Sequence, residues 1–324
     1  MNKSKLFVYL KFLISFGLLI VLLWIMRHDI GGIIDILKTS NKLFFVLAIS
    51  IILPLTILLA YRLKLLMSGQ NISLPMKDFV HLTFIGYFFN NFFPTAIGGD
   101  IAKAYYASKK ANNKAAAYAA VLADRIVGVL ACVSIAIIGI IFVGKDFNNN
   151  KIIWAVVIMA ILLISAVFLL LNEGKIRYFI PGFVRKSVFT KLREKVSKLY
   201  GAINFYKHST RLLIKAYILS VLMQAGTVLC IYFFVLCVGG QMHLLKLFLI
   251  IPLVWAVSMV PSLNGLGVRE GAFVYFLKGE IGADSAFAVS LMWLGVIILF
   301  SIIGGVMHLL YPIKVKRGGE ENDR

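Results

Sequence analysis

Two apolar stretches, FFNNFFPTAIGGDIAK at residues 88–103 and VSMVPSLNGLGVREGAF at residues 257–273, are each interrupted by a proline and a glycine-containing turn. A charged residue follows each turn, and the stretches occupy corresponding places in the two halves of a 324-residue chain. In membrane proteins, short apolar segments that are broken by Pro or Gly at matching positions indicate a binding site between inverted repeats. The two stretches therefore predict a repeated fold with a shared polar site.

The composition indicates an integral membrane protein. Hydrophobic residues make up 60% of the chain and charged residues 15%, whereas soluble domains are about 45–50% apolar. The mean hydropathy is +0.91. None of the apolar runs alternates as barrel strands do, so we predict an all-α, polytopic helical protein. Six runs are long enough for spanning helices, or close to long enough with their flanks, at residues 12–26, 43–60, 126–143, 152–171, 216–238 and 286–311.

The net charge of +20 does not indicate nucleic-acid binding. The basic residues lie at the edges of apolar runs, where they would meet anionic phospholipid headgroups. Cys132, Cys230 and Cys237 lie inside apolar runs without disulfide or metal-ligand spacing, and the five histidines are too scattered for a metal site. We expect no cofactor, no metal and no nucleic-acid partner.

The broken stretches are too short to be ordinary spans. Residues 79–93 would extend about 22 Å as a helix, and the hydrocarbon core is about 30 Å thick. Pro94 disfavours helical geometry at Phe93, and Gly98 and Gly99 favour a turn. Non-helical backbone at membrane depth must be buried in protein or line a wet cavity. We predict two re-entrant hairpins, although surface loops after full spans would also fit the sequence.

An odd number of spans in each half would invert the second half relative to the first. We predict one membrane domain over residues 1–324, with a first inverted repeat at 1–150, a second at 151–312 and a disordered tail at 313–324. When both termini are placed in the cytoplasm, most of the 34 Lys and Arg residues fall on that side, as the positive-inside rule requires. The expected location is the cell (cytoplasmic) membrane.

The basic stretch at residues 172–212 is the largest predicted cytoplasmic loop. Apolar residues at helical spacing alternate there with basic residues, which is typical of an interfacial amphipathic helix that binds anionic headgroups. A solvated loop would have the same composition.

Asp124 and Arg125 lie within an apolar helix, where ionisable residues usually pair or line a path for a substrate. Neighbours in sequence point to different sides of a helix, so each needs its own partner. The candidates are Asp100 for Arg125, and Lys103 or Arg269 for Asp124. A pair that snorkels to the cytoplasmic interface is the alternative.

The second broken stretch has the features of an anion site. Gly265 and Gly267 allow backbone amides to approach an anion, the next helix begins there, and Arg269 offers a planar fork to phosphate oxygens. Asp100 and Lys103 stand at the equivalent place in the first stretch. A local salt bridge between Arg269 and Glu270 is the simpler alternative.

The predicted substrate site collects the polar and turn residues of both stretches. The two adjacent asparagines of the first stretch could hold ligand hydroxyls or cross-link helices. The predicted site residues are Asn90, Asn91, Pro94, Gly98, Gly99, Asp100, Lys103, Asp124, Arg125, Pro261, Asn264, Gly265, Gly267, Arg269 and Glu270. No nucleophile and base at a distinctive spacing are visible, so no catalytic residue is assigned.

The segments NNFFPTAIGGDIAKAYY, ADRIVG and PSLNGLGVREGAF resemble the lysylphosphatidylglycerol synthase transmembrane-region family, also described as flippase-like, dolichol-phosphate-glucose-synthetase-related or UPF0104 proteins. The resemblance covers about residues 8–312. Full-length multiple peptide resistance factors of this family join such a membrane domain, which translocates aminoacylated phosphatidylglycerol, to a cytoplasmic aminoacyl-transferase domain. The resemblance implies the translocase part without the transferase.

Together, the residues and the resemblance predict a lipid translocase for a phosphate-headgroup lipid, such as a modified phosphatidylglycerol or a polyprenyl-phosphate lipid. A lipid-modifying transferase is a second reading. A third is an accessory subunit, with a synthase or glycosyltransferase as its partner.

Overall fold

The computed structural model describes residues 30–92, 98–111, 113–143, 202, 204–206, 209–260, 262 and 264–310. Within these residues every regular element is a helix, which confirms the all-α prediction for this part of the chain. The helices are α1 (Ile30–Thr39), α2 (Lys42–Gly69), α3 (Met76–Phe92), α4 (Gly98–Ala111), α5 (Lys114–Val143), α6 (Thr210–Cys237), α7 (Leu244–Ser258), α8 (Val268–Ile281) and α9 (Ala283–Leu310).

Four helices, α2, α5, α6 and α9, are long and apolar enough to cross a membrane. They contain the predicted runs at 43–60 and 126–143 and nearly all of the runs at 216–238 and 286–311. The other two predicted runs, at 12–26 and 152–171, lie outside the described residues. So do Pro94, Pro261, the tail and most of the basic loop.

Helices α2 and α6 pack against each other and run antiparallel. At one end, the backbone N–H of Asn41 donates to the carbonyl of Cys237 over 2.8 Å. At the other end, the hydroxyl of Tyr206 donates to the carbonyl of Leu66 over 2.8 Å. The start of α2 therefore lies beside the end of α6, and the end of α2 lies near the residues that precede α6.

The first hairpin consists of α3 and α4, which pack together. At its mouth, Lys110 near the end of α4 contacts Asp78 near the start of α3, with 2.6 Å between Nζ and Oδ2. At its tip the backbones approach so closely that a Cβ on Gly99 would overlap the carbonyl oxygen of Gly86. Both ends of this hairpin therefore return to one end of the bundle.

The second hairpin, α7 and α8, has the same plan. Lys246 near the start of α7 contacts both carboxylate oxygens of Glu280 near the end of α8, at 2.7 and 2.8 Å. At its tip, Asn264, Gly265 and Gly267 have φ values of +47°, +78° and +79°. Glycine adopts this left-handed region without strain, whereas other residues rarely do. The glycines therefore allow the chain to reverse here.

The first helix of each hairpin packs against a long helix from the other half of the chain. Helix α3 packs on α9, and α7 packs on α5. Each contact is made at a glycine, since a Cβ on Gly304 would overlap the carbonyl of Phe84 and one on Gly139 would lie 2.5 Å from the amide of Leu249. Stacked rings of Phe84 and Phe300, 5.6 Å apart, reinforce the first of them. These contacts fix one helix of each hairpin against the long helices of the bundle.

Gly304→Ala tests this packing. We expect the added methyl group to lower stability by about 1–3 kcal/mol, because the obstacle is backbone and not a movable side chain. Gly295→Ala on the same helix is the matched control, since no atom lies within 4 Å of its Cβ position. Thermal unfolding of the purified protein in detergent measures both variants, and equal melting temperatures would contradict the close approach of α3 and α9.

Candidate functional site

The tips of the two hairpins meet. The side-chain amide of Asn264, in the second turn, donates a hydrogen bond to the side-chain oxygen of Asn91, near the end of α3. The neighbouring Asn90 accepts a hydrogen bond from the backbone N–H of Gly99 over 2.8 Å. The two asparagines predicted for the site thus have different roles, because Asn90 links α3 to the start of α4 while Asn91 contacts the other hairpin.

Asp100, in the first turn of α4, is the centre of a buried charge cluster. Its carboxylate lies 2.7 Å from Nε of Arg125 and 3.5 Å from Nζ of Lys103, so the predicted pairing of Arg125 with Asp100 is confirmed. The Lys103 side chain is 9% exposed and that of Arg125 is 46% exposed. Two cations therefore surround one carboxylate, and the cluster is accessible on the side of Arg125.

A glycine makes room for the buried lysine. A Cβ on Gly86 would collide with Cε of Lys103, so the lysine stem lies against the bare backbone of α3. Gly98 and Gly99 are buried at the start of α4 beside Asp100. The glycines of α3 and α4 therefore leave space for a charged side chain between the two helices of the hairpin.

The partner predicted for Asp124 is wrong. Asp124 pairs with Arg62 of α2, with 2.7 Å between Oδ1 and Nε, whereas Lys103 pairs with Asp100 and Arg269 pairs with Glu270. The Nη1 atom of Arg62 also donates to the hydroxyl of Ser220 over 2.7 Å. This buried chain links α2, α5 and α6.

Arg62 was not among the predicted site residues because it lies just beyond the apolar run at 43–60. Helix α2 continues to Gly69, and Leu63, Leu66 and Met67 after the arginine are fully buried. The apolar residues beyond Arg62 were a signal that the helix does not end there. The snorkelling alternative fits only the half-exposed Arg125, since Asp124 is 6% exposed.

The alternative of a local salt bridge describes Arg269 and Glu270. The guanidinium donates to Oε1 of Glu270 over 2.6 Å from Nη2 and 3.1 Å from Nε, and Nη1 donates to the carbonyl of Asn264 over 3.3 Å. The other carboxylate oxygen accepts from the N–H of Gly267 over 2.6 Å. Both side chains are buried. In this conformation the arginine organises the turn, and the pair is electrically neutral.

The structure therefore brings most of the described site residues together at the two tips, with Asp124 beside them in a separate ion pair to Arg62. Among the described residues, no group of three or more His, Cys, Asp or Glu side chains is arranged to hold a metal ion.

The chain was compared with known proteins. The sequence profile of the lysylphosphatidylglycerol synthase transmembrane region matches residues 8–305. A UPF0104 membrane protein from Pyrococcus horikoshii is 26% identical over 326 aligned residues, which cover 93% of this chain and 96% of the relative. A UPF0104 membrane protein from Methanothermobacter thermautotrophicus is 22% identical over 283 residues, covering 82% and 83%.

These matches confirm the resemblance noted in the sequence, and the apolar helices agree with them. The protein is a multi-pass membrane protein, and it belongs to the lysylphosphatidylglycerol synthase transmembrane-region family.

Proposed function

We propose that the protein is a membrane lipid translocase that moves a phosphate-headgroup lipid across the bilayer. The observation that carries the proposal is the contact between the hairpin tips at Asn91 and Asn264, beside a cluster in which Lys103 and Arg125 both contact Asp100. A tip-to-tip contact provides one polar site that can be reached along either hairpin.

The proposal includes two re-entrant hairpins and six spans in two inverted repeats. Helices α3, α4, α7 and α8 have 17, 14, 15 and 14 residues, and a 14-residue helix extends only about 21 Å. Because α2 and α6 are antiparallel, the hairpins that follow them enter from opposite ends of this pair. Their ion-paired mouths support a return to the side of entry.

Aromatic and basic residues at the mouths support the same placement. Lys109 lies 5.9 Å from the ring centroid of Tyr105 on α4, and Lys278 lies 5.9 Å from that of Tyr275 on α8. Tyrosine and lysine are typical of the interface between membrane and water. One such pair near the end of each hairpin is expected where a helix returns to the surface.

The charges suit an anionic headgroup. A phosphate exposed to hydrocarbon would cost many kcal/mol, and cations along its path lower that barrier. Lys103 and Arg125 are the proposed first contacts, since both are cationic and lie beside the first tip. At the second tip, Arg269 with the amides of the glycine turn is the proposed site, where phosphate would replace Glu270 on the guanidinium.

The positive-inside rule supports a cytoplasmic location for both termini and for the mouth of the first hairpin, in the cell membrane. A basic loop against anionic headgroups and a separate synthase or glycosyltransferase as partner remain proposals. A polyprenyl-phosphate lipid and a modified phosphatidylglycerol share the phosphate that the site would recognise.

A fluorescence assay tests the translocase. Protein is reconstituted in phosphatidylcholine vesicles with a trace of NBD-labelled phosphatidylglycerol, and dithionite reports the label that reaches the outer leaflet. We expect Lys103→Gln to slow exchange by about 10- to 100-fold, since a hydrogen bond to a charged group contributes about 1.5–3 kcal/mol. Lys109→Gln at the hairpin mouth is the control and should keep the wild-type rate.

Exchange in wild-type vesicles no faster than in protein-free vesicles would contradict the proposal. A covalently altered lipid formed by the purified protein would instead identify a transferase, and mass spectrometry of the extracted lipid detects it.

A further inference from the structure

A second polar cluster lies at the mouth of the first hairpin, away from the tips. His81 of α3 is 9% exposed, and its Nε2 atom has no hydrogen-bond partner among the described residues. His308, near the end of α9, shares a hydrogen bond between its Nε2 and the hydroxyl of Tyr106 on α4, at 3.2 Å. Its other nitrogen, Nδ1, is buried without a partner in the described part.

Titratable groups from three helices lie close enough to His81 to interact with it electrostatically. They are His308 of α9, Asp78 of its own helix and Lys110 of α4. Asp78 and Lys110 form the ion pair at the mouth, where the lysine side chain is 29% exposed. Helix α2 also packs on α3, but the charged groups that interact with His81 belong to α3, α4 and α9. His81 therefore lies about one helical turn inside an ion pair whose lysine is partly exposed.

The chemistry of this cluster is that of a proton site. Imidazole titrates at a pKa of about 6.5 in water, so it exchanges protons in the physiological range. Two neighbouring imidazoles do not both carry charge readily, because like charges repel in a medium of low polarity. A pair of this kind takes up one proton onto the lone pair of a ring nitrogen, forming one N–H bond. Water at the hairpin mouth supplies the proton.

A polar stripe connects the histidines to the tip. Asp100, Lys103, Tyr106 and Lys110 follow one another on α4 at intervals of three or four residues, which places them on one face of the helix. Tyr106, the partner of His308, is about 9 Å along the axis from Asp100. A charge gained at the histidines is therefore felt by an anion at Lys103 and Arg125.

We propose that His81 and His308 bind one proton between them, and that this proton is taken up together with the anionic headgroup. The inference rests on the proposed translocase function for its second half only. The protonated pair raises the affinity of the stripe for an anion, and by linkage the bound anion favours protonation of the pair to the same extent. The histidines lie beyond Tyr106, and a unit charge about 12 Å away at an effective dielectric constant of about 20 changes the affinity about tenfold.

The proton site itself is tested without transport. The full-length protein, labelled with ¹⁵N at histidine, is titrated in detergent by NMR, and His81→Gln and His308→Gln assign the signals. We expect the two rings to titrate in two separated, coupled steps, and removal of either ring to turn the titration of the other into a single step. Titration of each ring that is unaffected by loss of the other would overturn the inference.

The link to the headgroup is tested in the dithionite assay at symmetric pH values between 5.5 and 7.5. Wild-type exchange should rise about tenfold as the pH falls, because the phosphodiester stays ionised while the imidazoles become charged. The double variant His81→Gln/His308→Gln should be slow at every pH. His243→Gln changes an exposed histidine at the start of α7 and should keep the full pH dependence.

The outcomes separate the two ideas. No exchange by wild-type protein would remove the translocase and leave the coupled titration to stand or fall by NMR. Exchange that is independent of pH, or equally dependent in the double variant, would overturn the proton link and leave the translocase intact.

Discussion

Asp124→Ala is expected to lower the free energy of unfolding by about 3–5 kcal/mol, because it leaves the guanidinium of Arg62 buried without a counter-charge. Arg62 is 6% exposed, and its remaining partner is the hydroxyl of Ser220. This neutral group cannot replace a carboxylate at 2.7 Å. Titration of the purified protein with a denaturing detergent, followed by circular dichroism, measures the loss.

A double variant provides the control for this prediction. Arg62→Met/Asp124→Leu removes both charges and fills their space with apolar groups, and such replacements of a buried pair are often neutral or stabilising. We expect its stability to lie near that of the wild type. A double variant as unstable as Asp124→Ala would show that loss of packing, and not an unpaired charge, explains the defect.

Arg269→Met is expected to have an effect of similar size, about 3–5 kcal/mol, because Glu270 is completely buried and would lose its cationic partner. The same titration measures this change. Loss of transport in this variant would not by itself identify a phosphate ligand, since an unfolded tip cannot work either.

Arg269→Met/Glu270→Gln separates these two roles. Glutamine keeps an oxygen for the amide of Gly267 and needs no cation, so we expect most of the stability to return. Under the proposed function, dithionite exchange should remain slow because the second tip has lost its phosphate ligand. A stable double variant with the wild-type exchange rate would limit Arg269 to a structural role.

The long helices were the predictable part of the fold. Hydropathy is a local property, so the runs at 43–60 and 126–143 located α2 and α5. A break was predicted at residues 94–99, and α3 does end at Phe92, but Gly98 and Gly99 begin α4 where a turn was expected. The end of α2 was misplaced, because one arginine was read as the edge of an apolar run. Its burial depends on a partner 62 residues away, which no local pattern reveals.

Two charge pairs followed from the sequence: Arg125 with Asp100, and Arg269 with the adjacent Glu270. The pairs that were missed join separate helices, and they depend on how each helix is rotated against its neighbours. The hydropathy of α3 and α4 therefore gave no sign that Asp78 would meet Lys110, or that His81 would lie near His308 of the last helix. His81 and His308 are far apart in the sequence, but they lie close enough in the fold to interact electrostatically.

Cysteines at the two tips test the central claim, that hairpins from opposite faces of the membrane meet. In Asn91→Cys/Asn264→Cys, treated in native membranes with a short bifunctional maleimide, the account predicts an intramolecular cross-link in high yield. The native cysteines Cys132, Cys230 and Cys237 are buried and should not compete. The contradictory result is no cross-link, with each new cysteine modified by a membrane-impermeant maleimide from a different face of the membrane.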